Sequence, residues 1–350
     1  MRLDVEQRRE KILRIIINNY ITSGAPVSSR SICKKYKIGL CPASVRNIMA
    51  ELEDRHLITH LHTSAGRIPT DKGYRYYVDR LVQSAGLTPE EQANISKEYL
   101  VKQLVFEEVV RKTSRVLSDF TNYAGVVSQP EIKKTCFKRI QFTLLNQKKV
   151  CVTLITNTGI TRTSVVNFEL KIDQEKIKKI QNFMNANLEN VPLINVKTKL
   201  RKMMIQERNA FFHVLKQSME MIDSSAIIDE KMHFYLEGLS NFVNLSEFDN
   251  SDMVRSLIKL LDEKITLTSL VREVMQNKSG NRKIRVFIGK ENPHNFMNNC
   301  TIVLGTYEID NQIIGGLGII GPKRMDYGKA IATVEYVSGM LSEALNQFVI

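Results

Sequence analysis

Apolar residues recur at every fourth position from Ile12 through Ile16 to Tyr20, with Leu13 and Ile17 alongside. That spacing predicts a helix over residues 6–22. Ser23-Gly24 ends it, and Pro26 blocks its continuation. Ser28 is placed to cap a second, short helix through residue 36, with Ile32 and Tyr36 on one face. Pro42 suits the first position of a third helix, over 42–54, because that position needs no N–H. Here Val45, Ile48, Met49 and Leu52 form a narrow apolar stripe. At ~100° per residue, the opposite face carries Ala43, Asn47 and Ala50, with Ser44 and Arg46 on its flanks. A strand at 57–61, a turn at Ser64-Ala65-Gly66 and a return from Arg67-Ile68 predict a hairpin. Pro69 is expected to stop the pairing. Thr70 is expected to cap the next helix, with Asp71 in its first turn.

Beyond residue 84 the pattern changes. Residues 84–98, with Gly86, Pro89 and paired glutamates, read as a linker entering a long helix, and helical spacing continues over 104–120. Strands are predicted at 139–144 and 150–156, joined by a turn at Asn146-Gln147-Lys148-Lys149, and at 159–166. Residues 173–187 form a Lys-rich amphipathic helix whose charge reads as a solvated face. Helical spacing returns over 198–222 and, in two segments, over 252–275. Strands follow at 283–288, 301–307 and 313–320, then a last helix over 327–348. This order predicts an α+β, multidomain chain: one sheet domain interrupted by an inserted, mainly helical subdomain. The expected division is 1–84 for the N-terminal domain and 85–103 for a linker and helix. The sheet domain takes 104–190 and 276–350, and the insert takes 191–275.

Composition adds a direction. Of 350 residues, 43% are hydrophobic and 25% charged, which is ordinary for a globular chain. The net charge of +13 favours polyanionic partners: nucleic acid or an anionic surface. Residues 1–83 carry 15 Lys+Arg against 8 Asp+Glu, and the excess is read as densest there. The cysteines are Cys33, Cys41, Cys136, Cys151 and Cys300, with no C-x-x-C pair. They give neither a disulfide framework nor a zinc ribbon, so reduced thiols and a cytoplasmic location are expected. No apolar run approaches the ~18 residues of a membrane span.

The third helix carries the candidate chemistry. Small residues at the centre of its outer face allow close approach to base edges. Asn can bond adenine through two hydrogen bonds, Arg can bond guanine or phosphate, and Ala can touch a thymine methyl. Ser44, Arg46 and Asn47 are therefore the expected base readers. Ser28, Arg30, Lys34, His62 and Arg67 are the expected phosphate and wing contacts, which fix register without reading sequence. Arg67 stands at the base of the hairpin, where an arginine can enter a minor groove or hold a phosphate. Three short helices and a hairpin also occur in protein-interaction modules. The basic charge tips the reading toward DNA, because phosphate neutralisation supplies most nonspecific affinity.

Two stretches carry a family resemblance. Cys41-Pro-Ala-Ser-Val-Arg-Asn-Ile-Met-Ala-Glu-Leu-Glu53, followed by His62-Thr-Ser-Ala-Gly-Arg-Ile-Pro-Thr-Asp-Lys-Gly-Tyr-Arg-Tyr-Tyr-Val-Asp79, resembles the family of the heat-inducible transcription repressor HrcA. Phe234-Tyr-Leu-Glu-Gly, Val286-Phe-Ile-Gly-Lys-Glu-Asn292 and Gly316-Leu-Gly-Ile-Ile-Gly-Pro-Lys-Arg-Met-Asp-Tyr327 resemble its C-terminal signatures. The resemblance implies a winged helix-turn-helix and a GAF-like domain carrying an inserted dimerising domain. It further implies a homodimer on an inverted-repeat operator upstream of chaperone genes, and the chaperonin GroEL as the partner that maintains activity. His56 and Leu61 depart from it, standing where glycine and proline are expected at the approach to the wing.

Other motifs weigh less. Gly316-x-Gly318-x-x-Gly321 has the spacing of a dinucleotide fingerprint, but Leu317, Ile319 and Ile320 make the motif itself a strand. Close backbone packing explains those glycines better, so no cofactor is expected. His56, His60 and His62 lack a fourth ligand, and no metal site is expected. No G-x-S-x-G elbow marks a nucleophile, so no enzyme activity is expected. The competing readings are a ligand-sensing GAF-like regulator or enzyme tethered to a winged helix, and an RNA-binding or scaffold protein.

Overall fold

The computed structural model describes residues 5–60, 66–82, 86–99, 106–167, 173–206, 212–225, 228, 232–243, 264–276 and 284–347. It mixes helix and antiparallel sheet in an α+β chain. The N-terminal helices are α1 (Val5–Ser23), α2 (Ser29–Lys35) and α3 (Pro42–Asp54). Ile12, Leu13, Ile16 and Ile17 of α1 are buried against Ile32 of α2 and Val45, Met49 and Leu52 of α3. A two-stranded hairpin follows, β1 (Ile58–His60) with β2 (Arg67–Pro69). Pro69 lies opposite Ile58 as the last paired position, so it closes the ladder one residue later than expected. Thr70 then caps α4 (Asp71–Tyr76), its Oγ1 accepting the Gly73 N–H at 3.0 Å. One π-helical turn, Tyr77–Leu81, extends α4.

The end of α3 explains one departure from the family pattern. The His56 N–H donates to Glu53 O and the Leu57 N–H to Leu52 O, at 2.8 and 3.0 Å. This pair of bonds is the helix stop that needs a left-handed residue between them. His56 sits there at φ 59°. Glycine takes that conformation freely, and a side chain does not.

Next come α5 (Pro89–Tyr99), α6 (Phe106–Thr121) and β3 (Ala124–Ser128). Later elements complete the sheet around β3: β7 (Phe234–Glu237), β8 (Ile284–Ile288), β9 (Cys300–Ile309) and β10 (Gln312–Pro322). The order is β7-β3-β10-β9-β8, antiparallel throughout. α6 and α12 (Tyr327–Asn346) cover one face. α11 (Lys264–Gln276) covers the other, placing Leu267, Leu270, Val271 and Val274 on Val126, Ile302, Leu304 and Ile320. A short helix, α10 (Leu239–Val243), follows β7. Gly316 and Gly318 lie inside β10, and a Cβ on Gly318 would come within 2.0 Å of Val303 O. These glycines let β10 pack between its neighbours.

Residues 137–225 are built differently. β4 (Phe137–Asn146), β5 (Lys149–Thr156) and β6 (Thr161–Asn167) form a separate three-stranded sheet. α7 (Gln174–Leu188), α8 (Leu193–Gln206) and α9 (Phe212–Ser225) complete this unit. Its own buried cluster runs from Ile132 to Ile222. Side-chain amides of α7 satisfy the free edge of β4: Asn185 bonds both the N–H and the O of Ile140, and Gln181 accepts the Phe142 N–H.

Strand pairing thus corrects the expected division. The strands within 137–167 do not join β3, and α11 packs on the main sheet rather than in the insert. Unpaired strands must find a partner sheet, and hairpin connections pair these three with one another. This unit is also where basic charge is densest. Residues 132–228 hold 17 Lys+Arg against 7 Asp+Glu, a denser excess than that of residues 1–83. Lys176, Lys178 and Lys179 of α7 lie exposed. Among the described residues, no helix is long and apolar enough to cross a membrane.

Replacing His56 by glycine removes the cost of a left-handed side chain. His56→Gly is expected to stabilise the chain by about 1 kcal/mol, read as a rise in the thermal unfolding midpoint. An unchanged or lower midpoint would show that the imidazole has a structural role of its own.

Candidate nucleic-acid interface

The outer face of α3 is open. Ala43, Arg46, Asn47 and Ala50 are exposed, while Val45, Met49 and Leu52 face the core. Neither the Arg46 guanidinium nor the Asn47 amide is engaged by another residue among those described. Ser44 is half-buried, and its hydroxyl lies 3.2 Å from Cys41 Sγ at the start of the helix. Bonds from Ser44 hold the Cys41 thiol below its ordinary pKa. Ser44 is therefore turned toward the helix cap, whereas Arg46 and Asn47 point outward.

The expected phosphate contacts divide in the same way. Arg30 and Lys34 of α2 are exposed, with no ion pair among the described residues. Ser28 is occupied as the α2 cap: its Oγ accepts the Ser31 N–H, while Ser31 Oγ accepts the Ser28 N–H. His62 lies outside the described residues. Arg67 is half-buried and engaged at both backbone and side chain. Its backbone pairs with Val27 at 2.9 and 2.8 Å, and its Nε donates to Glu53 Oε2 at 2.8 Å.

Glu53 organises this corner, and its role is invisible in the residue pattern. One carboxylate oxygen takes Arg67 and the other lies 2.5 Å from His60 Nδ1, so the end of α3 grips both strands of the hairpin. Partial burial pushes the Glu53 carboxyl upward. The hydrogen bond with His60 and the charge of Arg67 outweigh that effect and hold it below its ordinary 4.5. A second network ties α1 to α3: Arg9 bridges Glu6 and Glu51, and Arg55 reaches Glu6 at 2.8 Å. The outer face of α3 is thus flanked by ion pairs that, among the described residues, engage neither Arg46 nor Asn47.

A small basic helical module with one open helix face, joined to a larger sheet-and-helix region, is the build of a transcription regulator. The comparisons with known proteins agree. The family described as "HrcA protein C terminal domain" matches residues 107–331. A heat-inducible transcription repressor HrcA from Pelotomaculum thermopropionicum is 34% identical over 347 residues, covering 99% of each chain. Its counterpart in Bacillus pumilus is 34% identical over 343 residues, covering 97% of each. The chain belongs to the HrcA family of heat-inducible transcription repressors. A crystal structure of a hypothetical protein at 2.2 Å resolution shares the fold, with a TM-score of 0.60 at 22% identity, over 99% of this chain and 100% of that one.

The lowered pKa of Glu53 fixes a pH dependence. A carboxylate depressed in the folded state stabilises above its ordinary 4.5, and that contribution is lost as pH falls below it. The thermal unfolding midpoint should fall as pH drops from 7 to about 3, and Glu53→Gln should show a smaller fall. Identical pH profiles would mean that Glu53 contributes nothing to hairpin stability.

Proposed function

We propose that the chain represses transcription by binding an inverted-repeat operator as a homodimer, with residues 1–84 acting as a winged helix-turn-helix. One observation carries this reading: Arg46 and Asn47 stand outward on α3, unengaged among the described residues, between the small residues Ala43 and Ala50. That is the face a recognition helix presents to a major groove. Arg30 and Lys34, exposed on the neighbouring helix, are suited to phosphate contact. Arg67 serves first as the anchor of the wing and meets DNA only as far as its pair with Glu53 allows.

Two further assignments belong to this reading. The five-stranded sheet with helices on both faces serves as the GAF-like domain. The unit around β4–β6 serves as the inserted dimerising domain. Among the described residues, the exposed large apolar side chains are Val5, Leu145, Val165, Ile194 and Ile205, and all but the first lie in that unit. Exposed apolar side chains in this unit are available to an interaction surface. The family resemblance adds the regulated genes, those of chaperones, and the partner that maintains activity, the chaperonin GroEL.

Titrating the purified chain against an inverted-repeat duplex and a scrambled duplex across a salt series tests the reading. Preference for the inverted repeat, with affinity falling steeply as salt rises, is the expected result. Equal binding to both duplexes would overturn it. Asn47→Ala should cost roughly 1–3 kcal/mol and relax discrimination at one base pair. Operator preference untouched by that change would remove Asn47 from the reading face. After heating and cooling, operator affinity should return only when GroEL is present. Full recovery without GroEL would exclude the chaperonin's role.

A further inference from the structure

Polar contacts at α4 and at the end of α1 bolt the N-terminal module to the sheet domain. Asp71, the first residue of α4, accepts Lys323 Nζ at 2.8 Å through Oδ1 and the Lys290 N–H at 3.2 Å through Oδ2. One turn later, Arg75 donates through Nε to Glu291 Oε1 at 2.9 Å and through Nη2 to Val286 O and Glu291 Oε2. Arg324 adds a bond to Ile21 O at 3.1 Å, at the end of α1.

The receiving segment is itself shaped for this contact. Gly289 lies at φ 53°, and a Cβ there would sit 2.2 Å from Asp71 Oδ2. Glu291 Oε2 also accepts the Ile288 N–H at 2.9 Å, which fixes the carboxylate that meets Arg75. Behind it the buried Asn292 amide lies within 2.8–3.2 Å of the carbonyls of Gly289, Cys300 and Met297. Apolar contact across the same seam comes from Tyr74 and Tyr77 against Tyr327, with ring centroids 5.6 and 6.3 Å apart. Apolar burial is non-directional. Forked guanidinium–carboxylate bonds hold a geometry.

We propose that Asp71 and Arg75 are positioning residues for operator binding. They touch no DNA. They set the direction in which α3 faces relative to the sheet domain, and so the separation and phase of the two recognition helices in a dimer. This rests on the operator reading above. Half-sites on one face of DNA lie about 34 Å apart per helical turn, so two heads bind together only when both face correctly. A head released from the clasp still binds one half-site but loses the benefit of the second, worth on the order of 10²-fold or more in affinity.

The test uses the full chain and two duplexes: the inverted repeat, and the same duplex with one half-site scrambled. The readout is the ratio of the two affinities, in which a general change of phosphate attraction largely cancels. Arg75→Glu and Glu291→Arg should each lower that ratio by on the order of 10-fold or more. The double exchange, which restores opposite charges, should recover a large part of it. Glu291→Gln, which keeps the side-chain shape, supplies the same comparison if a charge reversal fails to fold. Ratios equal to wild type in every folded variant would overturn the proposal, as would a double exchange no better than either single change. A wild-type chain that does not prefer the inverted repeat over a fully scrambled duplex would bring down the operator reading, and the clasp with it.

Discussion

Tyr74, Val78 and Leu81 belong both to the N-terminal module and to an apolar cluster that continues through Tyr327, Val334 and Leu341 to Leu345. That shared cluster is the constraint on which the rest depends. Units of some 60–80 residues bury too little surface to be strongly stable alone. Here the module's core is completed by the sheet domain's last helix. Its stability and its orientation are therefore properties of the whole chain. The polar clasp at Asp71 and Arg75 lies on the same seam and turns a general attraction into a fixed direction.

The second principle is the internal use of charge. A basic module could hold every Arg and Lys outward for phosphate. Instead Arg9, Arg55, Arg67 and Arg75 are taken up by Glu6, Glu51, Glu53 and Glu291, which brace helix against helix and hairpin against helix. Half-exposed pairs of this kind add little stability singly. Their value lies in geometry, because each adds a directional bond between elements that apolar packing alone holds without a fixed direction. Arg46, Asn47, Arg30 and Lys34 are among the residues left outward.

The insert follows a third logic. Its three strands are closed by hairpins and protected at the β4 edge by amides of α7, so it folds around its own core while emerging from the main sheet. Such an element can carry apolar side chains and dense basic charge away from the N-terminal module. An open strand edge invites pairing with other chains, and the Asn185 and Gln181 bonds remove that hazard on one side.

Local pattern alone determined much of this protein. The period of Ile12, Ile16 and Tyr20, the cap at Ser28, Pro42 at the first turn of α3 and the cap at Thr70 each act within a few residues, and each stands in the structure where the pattern put it. The open face of α3 followed from the same periodicity. The departure at His56 was visible in the sequence, but its left-handed backbone was seen only in the structure. What the tertiary structure decided is everything that joins distant segments. Joining β3 to β7 and β10 depends on pairings across a hundred residues or more, and strands at 137–167 look no different in sequence from those at 284–322. The engagement of Arg67 by Glu53, and of Arg75 by Glu291, is equally nonlocal. A charged side chain has the same appearance in sequence whether it faces solvent or a carboxylate, because only the folded chain brings its partner within reach.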